Sequence, residues 1–187
     1  VFENVREDWQ SHNRLFNRHG FYIMLVYRFG RWRYTIRPRA LRMPFSLLYE
    51  WLKFASVSFL GAEIPCEVSI GRRFVIEHVG AIVISGEVVI GDDCTLRQGV
   101  TIGLRHKGVL ACPRLGNRVD IGAGAKLLGP IVIGDDVAIG ANAVVLTDVP
   151  SNHLAVGVPA KIIPRKPHAQ QDAGVETDPM LVLTPDN

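Results

Sequence analysis

The stretch LGNRVDIGAGAKLLGPIVIGDDVAIGANAVV, residues 115–145, places an aliphatic residue at every sixth position: Leu115, Ile121, Leu127, Ile133, Ile139 and Val145. Glycine often follows, as at Gly116, Gly122, Gly134 and Gly140, and a small or aliphatic residue stands two positions before, as at Val119, Ala125, Val137 and Ala143. A period of six fits neither the 3.6 of a helix nor the 2 of a simple strand. It fits one short flat strand plus a turn. Three such units close a triangular coil of about eighteen residues, with the aliphatic residues stacked inside and glycine or asparagine taking the positive φ angles at the corners.

Working outward, the same rhythm returns at Ile64, Ile70 and Ile76, and again at Ile84, Ile90, Leu96 and Ile102, making thirteen positions in three registers. The expected fold is mainly β: a parallel β-helix of a little over four coils. An ordinary β-sandwich would instead show period-2 alternation and irregular turn spacing.

The rhythm breaks twice. Eight residues separate Ile76 from Ile84, and the surplus falls around Glu77, His78, Val79 and Gly80. Thirteen separate Ile102 from Leu115, which predicts a protruding loop over roughly LRHKGVLACPR, residues 104–114. Insertions in a solenoid map to loops, often on the binding face, so the two breaks are expected to serve one site.

The rest of the chain frames that repeat. Residues 1–61 lack the rhythm and read as a helical region, with one helix over 20–34 and another starting at Pro44 and running to about 60. Residues 62–164 form the repeat domain and 165–187 a loosely packed tail. The apolar run FSLLYEWLKFASVSFLG (45–61) is interrupted by Glu50 and Lys53 before it reaches the length of a membrane span, so buried packing is expected, with peripheral membrane contact as a lesser reading. Basic residues gather at Arg28, Arg31, Arg33, Arg37, Arg39 and Arg42, yet the net charge is only +3 and no nucleic-acid motif accompanies them. Three cysteines without a C-x-x-C pair argue against a disulfide framework or a structural zinc site. With no charged-then-apolar leader, a cytoplasmic setting is expected.

The segments GFYIMLVYRFGRW (20–32), EHVGAIVISGE (77–87), TLRQGVTIG (95–103), residues 121–150 and VGVPAKII (156–163) together resemble the serine acetyltransferase family of the hexapeptide-repeat acyltransferases. The resemblance covers roughly residues 17–164. It implies a left-handed β-helix, a homotrimer or dimer of trimers, and acetyl transfer from acetyl-CoA to a hydroxyl of serine or a related small acceptor. It also implies roles. His78 matches the general base, Glu63 the carboxylate that orients it, and Glu77 an aspartate that helps hold the amino-acid substrate. Glu87 and Gln98 lie in matched segments, where each could line the acceptor pocket or cap a turn. By the same analogy Gly103, Ala123 and Ala141 border the pantetheine arm of CoA, with Pro159 and Lys161 near its nucleotide end. No metal is expected.

The chain also departs from the family. Where members carry Arg-His-Pro at the end of the loop, it has Ala111-Cys112-Pro113, losing a guanidinium able to pair with an acceptor carboxylate. Arg105 and His106, earlier in the loop, are the available substitutes. The tail PMLVLTPDN lacks the final isoleucine that members insert into cysteine synthase, so that complex is not expected. A sugar or exopolysaccharide precursor therefore stands as an alternative acceptor. A zinc hydratase or plain trimeric scaffold is a third reading, for which His78, His106 and His153 would have to converge.

Overall fold

A computed structural model describes residues 2–12, 19–106 and 111–165. The loosely packed tail predicted over 165–187 lies, apart from Arg165, outside the described residues. Three helices come first: α1 (Phe2–Ser11), α2 (His19–Arg33) and α3 (Arg39–Leu60). Short strands follow in coils: β1 (Ala62–Glu63), β2 (Ser69–Ile70) and β3 (Val75–Ile76); β4 (Ile82–Ile84), β5 (Val89–Ile90) and β6 (Thr95–Leu96); β7 (Thr101–Gly103), β8 (Arg114–Leu115) and β9 (Asp120–Ile121); β10 (Lys126–Leu128), β11 (Val132–Ile133) and β12 (Ala138–Ile139). The last elements are β13 (Val144–Val145), β14 (His153–Val156) and β15 (Lys161–Pro164).

Strands one coil apart pair in parallel and build three faces. The first holds β1, β4, β7, β10 and β13; the second β2, β5, β8 and β11; the third β3, β6, β9, β12 and β14, to which β15 adds an antiparallel edge. The register measures the coil directly. Val83 pairs with Thr101 and Arg114 with Val132, each eighteen residues on. Across the first break Val75 pairs with Thr95, twenty on, and across the second Thr95 pairs with Asp120, twenty-five on. The insertions are therefore two and seven residues long, as the spacing predicts.

All thirteen repeat positions are buried, as are the smaller residues two places before them, such as Val68, Val88, Cys94, Val100 and Ala143. Each buried aliphatic side chain contributes about 1.5–3 kcal/mol, so the stack is the main source of stability.

The helices cap the first coil. The Tyr27 hydroxyl donates to the Val68 carbonyl (2.8 Å) and accepts from the Ile70 amide (3.1 Å), while the Cys66 amide donates to the Tyr49 hydroxyl at 3.0 Å. Arg28 donates to Asp8 (2.9 Å) and to the carbonyls of Ile70 (3.0 Å) and Gly71 (2.5 Å), clamping α1 and α2 onto β2. Gly61 ends α3 in the left-handed region at φ 61°, its amide reaching the Ser56 and Val57 carbonyls, and turns the chain into β1.

Two helical expectations need correction. The third helix begins at Arg39 behind Pro38, and Pro44 lies inside it. A proline this near the start removes one backbone bond, to Ala40, and Ala40 is exposed, which keeps the cost low. Nor is the run 45–61 buried packing: of α3 only Tyr49 and Ser56 are buried, while Leu47, Trp51, Phe54 and Phe59 are exposed. Against α2, α3 leaves an apolar groove of about 540 Å³ lined by Tyr22, Leu25, Phe29, Leu48, Leu52 and Phe59. Among the described residues no helix is long and apolar enough to cross a membrane.

Candidate active site

The two-residue insertion between β3 and β4 carries His78. It is pinned at both ends, by Glu77 N–H to the Leu96 carbonyl (3.0 Å) and by the Gly80 carbonyl accepting from Gly99 (2.8 Å). Gly80 has a φ of 113°, and a side chain there would meet nothing within 4 Å, so glycine is needed for the backbone angle and not for space. Val79 packs on the core and anchors the bulge, leaving His78 exposed. From inside, His12 supports the same point, its Nε2 accepting from the Ile76 amide at 3.3 Å.

Coil-to-coil bonds show what shares this edge of the prism. The Gln98 carbonyl accepts from Gly124 (2.8 Å) and the Ala123 carbonyl from Asn142 (2.8 Å), so the bulge, Gln98, Ala123 and Ala141 form one column where the third face turns into the first. The adjoining first face presents Glu63, Val83, Thr101, Lys126 and Val144 in register. Glu63 is exposed there, one strand from the connection that carries His78. No hydrogen bond or ion pair joins the Glu63 and His78 side chains among the described residues. Lys126, which the sequence reading passed over, donates to the Gly99 carbonyl and to Thr101 Oγ1 (3.1 Å), fixing a cation beside this column.

The second break leaves from the opposite edge of the first face. Within one chain the two insertions do not share a corner; about five residues of extended backbone, roughly 15 Å, separate the edges. At this second edge Gly103 is closed on by the Ser85 side chain, which gives its missing Cβ a packing reason independent of any ligand. Burial raises the pKa of the Cys112 thiol and the Glu87 carboxylate raises it further, with the Ser85 hydroxyl pulling the other way. Within one chain Glu87 thus lies beside Cys112, on the edge opposite the one that carries His78. Arg105 lies against Gly129, its Cβ 3.2 Å from where a side chain there would begin, and both Arg105 and His106 are exposed. The loop's residues 107–110 lie outside the described residues.

Glu77 is not open to solvent on all sides. Arg97 Nε sits 2.7 Å from its Oε2, and Arg97 Nη1 sits 2.6 Å from Asp120. Sequence reading missed Arg97; the signal was available in the twenty-residue coil spacing that sets residue 97 beside 77. At the far end of the prism the Gly157 carbonyl accepts from the Val144 amide (3.0 Å), and the Val144 carbonyl accepts from the Ala160 amide (2.8 Å). That leaves Pro159 and Lys161 exposed past the last strand of the first face. His78, His106 and His153 stand on different edges, and among the described residues no three metal-binding side chains converge.

The bacterial transferase hexapeptide family (six repeats) matches residues 113–147. Over 119 residues the chain is 46% identical to the "Putative colanic acid biosynthesis acetyltransferase WcaB" of Escherichia coli K12, spanning 64% of this chain and 72% of that one. It is 37% identical over 162 residues to the serine acetyltransferase of Synechococcus elongatus, covering 86% of this chain and 61% of that enzyme. The chain belongs to the serine acetyltransferase-like family of hexapeptide-repeat acyltransferases. The acyltransferase also superimposes, with a TM-score of 0.76 and 27% identity, on the Brucella abortus serine acetyltransferase solved in complex with coenzyme A, covering 88% of this chain and 68% of that one. Its coil is accordingly the left-handed parallel β-helix of that family, with an N-terminal helical region.

Proposed function

We propose that the acyltransferase moves the acetyl group of acetyl-CoA onto the hydroxyl of a small acceptor, with His78 as general base. The observation that carries this is His78 itself, held by a pinned bulge at a register break and left exposed. The imidazole takes the hydroxyl proton as the oxygen bonds to the thioester carbonyl carbon. The tetrahedral intermediate then collapses, the carbon–sulfur bond breaks, and the imidazolium returns the proton to the departing thiolate. Glu63 supplies negative charge near that imidazolium across one strand. Replacing His78 by alanine is expected to abolish thiol release from acetyl-CoA; retained release would refute the assignment.

CoA runs along the first face and its edges, with Gly103, Ala123 and Ala141 beside the pantetheine arm and Pro159 and Lys161 toward the nucleotide, where a lysine suits phosphate. The two edges lie too far apart to act together in one chain. The reading therefore includes a homotrimer, in which the loop edge of one protomer would meet the His78 edge of the next. Arg105, His106, Gln98 and Glu77 then surround the acceptor, and the repeat domain over residues 62–164 provides the whole catalytic surface.

Serine or a close analogue is the acceptor that the family suggests. A sugar hydroxyl is the second reading, favoured by Ala111 and Cys112 at the positions of the family's arginine and histidine. Restoring them in an Ala111→Arg/Cys112→His variant is expected to raise serine turnover relative to wild type; no change would show that the loop does not set the acceptor.

A further inference from the structure

Glu77 is the carboxylate through which a serine-type acceptor's ammonium would be held, and here it already has a cation. The backbone bond from Glu77 N–H to the Leu96 carbonyl sets residues 77 and 97 side by side on neighbouring coils. Arg97 then spans two carboxylates, Glu77 Oε2 at 2.7 Å through Nε and Asp120 Oδ1 at 2.6 Å through Nη1. Nη1 also lies 3.5 Å from the Ile121 carbonyl. A guanidinium held from both sides is a fixed charge rather than a wandering one. The other inter-coil arginines, Arg73 on Asp93 and Arg118 on Asp136, reach their partners at a different corner of the prism, where the second face turns into the third.

We propose that Arg97 neutralises Glu77 and so restricts the acyltransferase to hydroxyl acceptors that carry no ammonium group, the class to which sugars belong. An ammonium brought to hydrogen-bonding distance of Glu77 also comes within a few ångströms of Arg97. The attraction to Glu77 is then largely offset by the repulsion from Arg97 at a comparable separation, while Asp120, on the far side of Arg97, lies one coil further away. A neutral polyol meets no such penalty, because its hydroxyls accept from the guanidinium and donate to the carboxylates. The absence of an arginine at Ala111 agrees with this, since a zwitterion would lose its carboxylate partner as well.

The proposal rests on the reading that acceptors bind at the His78 edge, and the test separates the two. L-serine and L-glycerate share one carbon skeleton and differ by an ammonium in place of a hydroxyl. Steady-state thiol release and titration calorimetry with each, on wild type, Arg97→Met, Arg97→Lys and Arg97→Met/Glu77→Gln, give the serine-to-glycerate ratio. Arg97→Met is expected to raise that ratio at least about tenfold through KM, the worth of one charge-assisted hydrogen bond. Arg97→Lys should keep the wild-type ratio, and adding Glu77→Gln should cancel the gain. An unchanged ratio in Arg97→Met, or an equal loss for both compounds as expected of a purely structural clamp, would overturn the proposal. Thiol release that survives His78→Ala would fault the catalytic reading instead, while the calorimetric serine-to-glycerate ratio would still decide the role of Arg97.

Discussion

His78 is exposed and bonded to nothing among the described residues, so alanine there removes a reacting group without removing a support. The expected loss is about 10²–10⁴-fold in turnover, with stability within about 0.5 kcal/mol of wild type; activity assays beside thermal melts check both. Cys112 gives a second prediction. Cys66 and Cys94 are buried, and burial foremost pushes the Cys94 thiol up to about 11, so Cys112 is the site at which alkylation should occur first. Glu87→Gln removes a negative charge beside the Cys112 thiolate, which lowers the thiol pKa and should quicken its iodoacetamide alkylation near neutral pH. Mass spectrometry of timed samples reads the rate, and a slower variant would contradict that sign. The bulge that carries Glu77 and His78 was legible in the sequence as a break in a counted rhythm. Arg97 and Lys126 were not, since a cation at an outward repeat position looks like any solvated surface residue until the coil brings a partner beside it.

Helix attachment depends on a few polar contacts that the repeat pattern does not announce. The Arg28–Asp8 pair is 5% and 1% exposed, and Arg28→Met would leave the Asp8 carboxylate buried without its guanidinium. A cost of about 3–5 kcal/mol is expected, measurable by urea denaturation; a change below about 1 kcal/mol, the worth of an exposed pair, would mean that α1 is not held by this pair. Gly20 makes a similar point about space. Any side chain there would run into the Ile76 backbone, two residues before His78, so Gly20→Ala should both destabilise the cap and disturb the catalytic bulge. The sequence showed that helices precede the coil, but it misplaced the start of α3 because Pro44 was read as a boundary. A proline six residues into a helix forfeits one bond near the solvent end, and the surrounding helix formers outweigh that loss. The exposure of α3 was equally illegible, because an apolar run looks alike whether it faces a core or a surface.

At the scale of the molecule, period alone carried the architecture. Thirteen aliphatic positions at spacing six required a three-faced coil, and the strand register reproduces the coil length and both insertions. Counting the units in threes also gives the edge that each insertion leaves from, a step the expectation of one shared site passed over: the His78 bulge and the loop flank one face from opposite sides. The proposed sharing of the site between protomers predicts a trimer, so light scattering should give three times the chain mass, and a monomer with full activity would contradict the shared site. Acetyl transfer through His78 is tested by thiol release from acetyl-CoA across a panel of L-serine, L-glycerate and methyl hexopyranosides, run on wild type beside His78→Ala. Wild type should release thiol in an acceptor-dependent way and the variant should lose at least about a hundredfold; equal rates in the two would refute His78 as the base.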